Sequence, residues 1–133
     1  MAIWDELTAE QYSVMVIALE ATYLNNVIYY YNFHVNRGRP GHEVVAPAIS
    51  SQTVRSLIPR FAEVTADLIE RGWVELREPY SGVWEDVPPM IAEQIAEVLV
   101  DAKAWIWDED GDNRMVLIGS TDRFGALLQA QSR

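Results

Sequence analysis

The stretch from Thr8 to about Tyr31 sets the terms for everything that packs around it. Thr8-Ala9-Glu10-Gln11 fits a capping box, in which the threonine hydroxyl accepts a backbone N–H and the glutamine reaches back. Leu7 and Tyr12 stand at the two positions of a hydrophobic staple. The composition that follows predicts one helix running to about Tyr31. Its apolar residues fall in two stripes. Tyr12, Val16, Leu19, Tyr23 and Val27 make one; Ile17, Leu24 and Ile28 make another, displaced around the axis. A surface helix needs a single apolar face. Two faces predict burial on two sides, against the core and against a second subunit.

The rest of the chain is large enough to supply that core. It has 133 residues, 50% of them hydrophobic, within the span of one domain of about 100–150 residues. A chain of this size buries roughly two-thirds of its unfolded surface, so neither a metal nor a disulfide is needed for folding. The absence of cysteine excludes a disulfide scaffold and a thiolate zinc centre. Twenty acids against ten bases give a net charge of −10. That balance argues against non-specific coating of nucleic acid and against anionic lipid. Residues 1–7 carry two acids and no basic n-region, and the longest apolar run, Val14–Leu19, is too short for a bilayer. The expectation is a cytoplasmic protein with no membrane contact.

Beyond the first helix, Asn36 to Gly41 reads as a loop and residues 43–49 as a short apolar segment of ambiguous state. Ser50 or Ser51 suits the cap of a short helix over about 52–57. Pro59 is expected to stop it and to open a helix over 59–71, with Phe61, Val64, Thr65 and Leu68 inward. Gly72 fits the position just past that helix. Trp73–Arg77 alternates as a strand, and Pro79 to Gly82 makes a turn. Asp86 can cap a fourth helix through Pro88 and Pro89, with Ile91, Ile95, Val98, Leu99 and Ala102 on its core face. Trp105–Trp107 and Arg114–Ile118 read as a hairpin around the tip Asp108–Asn113. Thr121 caps a last helix to about Gln129. The class is α+β: mainly helical, with a small antiparallel hairpin or three-strand wing and an inserted helix.

Two segments carry a resemblance to a known family. Leu68-Ile-Glu-Arg-Gly72-Trp73-Val74 resembles the end of a recognition helix leading into a wing. Asp112-Asn-Arg114 to Thr121 is similar to the wing of MarR-type winged helix-turn-helix regulators, where Asp-x-Arg opens a strand that ends at a helix-capping threonine. The resemblance implies a homodimer built through its terminal helices, with DNA and small aromatic molecules as ligands. Gly72 and Asp112 are 40 residues apart here, with the fourth helix between them, so the wing is interrupted. Gly125 stands one residue later than the family's usual glycine.

Charge bears directly on DNA binding. The outer residues of helix 59–71 are Arg60, Glu63, Asp67, Glu70 and Arg71, three acids against two bases. A phosphate-facing surface needs the opposite excess. Arg37, Arg39, Arg55 and Arg60 are the candidate nucleic-acid-binding patch. Ordinary surface-charge behaviour disfavours it. Residues 1–78 hold ten acids and six bases, and residues 79–133 ten acids and four bases, so neither half is basic. An acidic inhibitor or immunity-type protein that meets a basic partner is the competing expectation.

The remaining constellations are weak. Asp108-Glu-Asp-Gly-Asp-Asn113 lacks the glycine and terminal glutamate of a helix-loop-helix calcium loop and reads as an acidic turn. His34 and His42 with Glu43 could approach a metal, but loop residues between them fix no register. No nucleophile, Walker or dinucleotide motif occurs, so no catalytic residue, metal or cofactor is expected. Glu93 and Glu97 share a helix face directed to solvent. Tyr29, Tyr30 and Tyr31 point about 100° apart on a helix and cannot all face one core. With Tyr23 they are the candidate subunit or partner interface. Trp105 and Trp107 are expected on one strand face, filling the core.

Overall fold

Thr8 caps α1 (Ala9–Leu19) as the sequence predicts. Its hydroxyl accepts the Gln11 N–H at 3.1 Å, and Gln11 Oε1 accepts the Thr8 N–H at 2.9 Å. The computed structural model describes residues 3–36, 49–78, 87–108, 111 and 113–131. The expected helix to Tyr31 is two helices. α1 ends at Leu19, Ala21 takes φ of 51°, and a 3-10 turn at Leu24–Asn26 leads into α2 (Val27–Asn36). The cause lies far along the chain. The Ile118 N–H donates to the Thr22 carbonyl at 2.9 Å, and the Leu24 N–H donates to the Val116 carbonyl at 2.8 Å. The linker forms a one-residue bridge, Tyr23 to Leu117, in place of continued helix.

Ser50 caps α3 (Ser51–Glu70), accepting the Thr53 N–H at 3.1 Å. Pro59 does not stop this helix, contrary to the expectation of two segments. Proline cannot donate to the Arg55 carbonyl, but both residues are exposed, where water is at hand. Val54, Ile58, Phe61, Thr65 and Leu68 form one buried stripe that continues through the proline and holds the helix together. Val64 is only half-buried. At the far end Gly72 takes φ of +78°. Its N–H donates to the Ile69 carbonyl and the Trp73 N–H to that of Leu68, a Schellman closure.

That closure delivers the chain into β1 (Val74–Arg77), which pairs antiparallel with β2 (Leu117–Ser120) in the register Val74↔Ser120 to Arg77↔Leu117. The expected hairpin between 105–107 and 114–118 does not form. Trp105 instead ends the short helix α5 (Ala102–Trp105), whose first turn is capped by Asp101 and whose indole N–H donates to the Leu99 carbonyl. β2 thus has β1 on one edge and the Tyr23 bridge on the other. α4 (Ala92–Leu99) begins after Pro88 and Pro89 rather than through them, with the Ile91 N–H donating to Gln94 Oε1 at 3.0 Å. Asp86 and the 79–82 turn lie outside the described residues. Ile91, expected in the core, is exposed; Val98 and Leu99 are buried.

Thr121 caps α6 (Asp122–Gln131), accepting the Phe124 N–H at 3.3 Å while donating to the Gly72 carbonyl. One hydroxyl therefore ties the end of α3 to the start of α6. A single buried cluster runs from Ile3 to Phe124, with Trp105, Phe61, Phe124 and Met15 its largest fully buried members. The architecture is α+β, helical around a small antiparallel sheet. Among the described residues no helix is long and apolar enough to cross a membrane.

Candidate functional site

The stretch of chain that forms α1 and α2 is poor in charge. Between Gln11 and Asn36 the sequence holds one Asp, Glu, Lys or Arg, namely Glu20. The face is aromatic. Trp4 meets Tyr12 edge-on at 5.7 Å between centroids, and Tyr12 stacks on His34 at 4.7 Å. Tyr30 lies 6.2 Å from both Phe33 and His34. Beside them a groove of about 450 Å³ is lined by Trp4, Tyr12, Val16, Leu19 and Glu20. Leu19 is 45% exposed and Phe33 41%. His34 sits on α2 with its Nδ1 buried and without a hydrogen-bond partner.

The four tyrosines singled out from sequence are not brought to one patch. Tyr30 belongs to the aromatic face. The Tyr29 hydroxyl accepts the Trp107 N–H at 3.2 Å. Tyr31 packs edge-on against Phe61 at 5.0 Å. Tyr23 lies in the bridge to β2. Trp105 is fully buried, as expected, whereas Trp107 is 51% exposed, because the two are not on one strand.

A second cluster joins α1, α2 and α3. Glu10 is buried and accepts from Arg60 Nη2 at 2.7 Å, although Arg60 itself is largely exposed. Burial and the neighbouring Glu10 carboxylate push the Tyr31 hydroxyl above its ordinary value. Arg60 is thus already committed to a carboxylate. Arg55 is exposed beside a cleft of about 360 Å³ that also takes in Asp101, Lys103 and Asp108. Arg37 and Arg39 lie outside the described residues. The first part of α3 carries Arg55 and Arg60 and no acid; Glu63, Asp67 and Glu70 follow, all exposed, with Arg71 held by Asp67 at 2.9 Å.

Sequence reasoning missed the strongest ionic cluster. Arg114 Nε and Nη2 donate to the two Glu78 oxygens at 2.7 and 3.0 Å, and Nη1 reaches Asp101 at 3.1 Å and Glu97 at 3.4 Å. The bidentate Glu78 contact, helped by Asp101 and Glu97, holds the guanidinium more firmly protonated than usual. Glu78 lies 36 residues before Arg114, and Glu97 and Asp101 lie 17 and 13 before it, so no local spacing announces them. The arrangement fastens the inserted helices to the end of β1. Glu97, expected to be merely solvated, belongs to this cluster; Glu93 is exposed. Of the acidic tip, Asn113 closes the turn by accepting from the Asp108 N–H at 2.9 Å and donating to its carbonyl at 2.7 Å; residues 109, 110 and 112 lie outside the described residues.

Several serine and threonine hydroxyls serve the backbone, whereas Thr65 Oγ1 is buried without a hydrogen-bond partner. Ser13 donates to the Ala9 carbonyl, Ser56 to that of Thr53, and Ser50 and Thr121 cap helices. No group of three His, Asp or Glu residues able to hold a metal occurs among the described residues. His42 and Glu43 lie outside them. Comparison with protein-family models, with characterised proteins and with solved structures finds no match to this chain.

Proposed function

We propose that this chain is a non-enzymatic, winged-helix-like binding module, dimeric, cytoplasmic and regulatory in kind, with a surface poorly charged for direct DNA contact. One observation carries the reading. Three helices, α1 to α3, precede β1, and β2 lies between β1 and the Tyr23 segment that separates α1 from α2. The order of three helices, a strand and a returning strand, with the one-residue Tyr23 bridge beside β2, supports the winged-helix-like reading. α4 and α5 then occupy the wing, between its two strands.

A second reading, a MarR-like DNA-binding regulator, is favoured by the acid-free first part of α3 with Arg55 at its surface. Polarisation of a labelled duplex from upstream of the chain's own gene, at low salt, separates the two. Micromolar protein is expected to leave the duplex unbound. Binding that falls with salt and is lost in Arg55→Ala would replace the first reading with the second. Capture of a basic protein in a salt-sensitive complex would instead point to the acidic faces, as in an inhibitor of the immunity type.

A further inference from the structure

We propose that the uncharged face of α1 and α2 is where two copies of this chain meet, with α1 packed antiparallel on α1 about a twofold axis near Val16. The inference rests on the dimeric reading above and assigns its surface. Each copy carries a net charge of −10, so most faces of one repel the same face of the other. An isologous contact sets each patch against itself and therefore needs a patch without like charges. The groove of Trp4, Tyr12, Val16 and Leu19, with Tyr30 and Phe33 alongside, meets that need, because Glu20 at its end is the one charged residue lining it and Glu10 is engaged by Arg60. A basic partner has no reason to choose this face; Glu63, Asp67 and Glu70 on α3 would draw it instead.

The two ends of the face also complement each other. Glu20 follows the C-terminal end of α1, while the Tyr12–His34 stack places the imidazole near its N-terminal end. A twofold axis through the middle sets Glu20 of one copy toward His34 of the partner subunit. The same axis opposes the dipoles of the two α1 helices favourably. The exposed Leu19 and the aromatic pair Tyr30 and Phe33 then gain apolar cover. Two helices each about 16 Å long present less than the roughly 800 Å² per partner of a standard interface, so the dimer should dissociate on dilution.

Sedimentation velocity over a dilution series of the full chain tests this, with Leu19→Glu and Phe33→Glu compared to the parent. Both sites are exposed, and circular dichroism with urea unfolding checks that each variant folds. The parent is expected to run at twice 15.1 kDa when concentrated and as a monomer when dilute. Each variant should associate at least ~10-fold more weakly, because a carboxylate there is buried in an apolar contact on association. A parent that stays monomeric when concentrated overturns both this inference and the dimeric reading. A parent dimer left unchanged by both substitutions overturns the assigned face alone.

Discussion

At the scale of single residues, the chain sets one carboxylate where it governs both an arginine and a phenol. Glu10 is buried on α1, receives Arg60 from α3 and stands beside Tyr31 of α2. The Tyr31 hydroxyl is raised in the folded protein, first by burial and then by Glu10. The folded state therefore holds its proton to higher pH than the unfolded state does. Stability from this group is present below the ordinary tyrosine value of 10.0 and is lost as pH rises through the raised folded value. Urea unfolding should show a midpoint that falls above that pH, and Tyr31→Phe should flatten the fall. Glu10→Gln should flatten it in part, since burial remains. An unchanged alkaline slope in Tyr31→Phe would refute the assignment. None of this was legible beforehand. The sequence marks Arg60 as a candidate for phosphate contact, and only the packing of three helices reveals that Glu10 already engages it.

At the scale of elements, two left-handed positions punctuate the helices in opposite ways. Gly72 ends α3 with φ of +78°, and an added Cβ would lie 3.2 Å from Arg123 Cδ. Ala21 ends α1 with φ of 51° and carries its Cβ regardless. Glycine should thus be the more stable residue at both positions, so substitutions made in opposite directions should have opposite signs. Gly72→Ala is expected to lower stability by about 1–2 kcal/mol, and Ala21→Gly to raise it by about 1 kcal/mol, both from urea midpoints. Equal signs would show that something other than backbone conformation decides these turns. The contrast also explains what could be read in advance. Thr8, Ser50, Gly72 and Thr121 act on backbone groups within a few residues, so their roles follow from local spacing. The break at Ala21 serves bonds from Thr22 and Leu24 to a strand at 116–118, and no local signal announces it. Pro59 misleads for the same reason, because the buried stripe on α3 outweighs one missing N–H. The hairpin expected around 108–113 gives way to a strand pair joining β1 to β2 across the inserted helices. The candidate dimer face was half legible. Tyr12, Val16 and Leu19 of its first stripe are visible in the sequence, but Tyr12 and His34 meet only because the chain folds back on itself after α1.

At the scale of the molecule, the question is which sign of electrostatic effect governs its associations. Among the described residues, Arg60, Arg71, Arg77 and Arg114 are held in ion pairs with carboxylates. The remaining imbalance, with twice as many acids as bases, acts as self-repulsion within a copy and as repulsion between copies. Salt shortens the reach of that repulsion to about 10 Å at 0.1 M. The Glu78–Arg114 pair is partly shielded and bidentate, so it should lose less to salt than the net repulsion does. Adding salt should therefore raise the melting temperature and tighten self-association. Complexes built on charge attraction respond in the other direction: DNA on Arg55, or a basic protein on the acidic faces, should be released as salt increases. Measuring melting and sedimentation along one salt series thus separates the possibilities without knowledge of a ligand. A dimer that loosens with salt would mean that more opposite charges meet in the interface than a Glu20–His34 contact supplies, and would place it on a face other than that of α1 and α2.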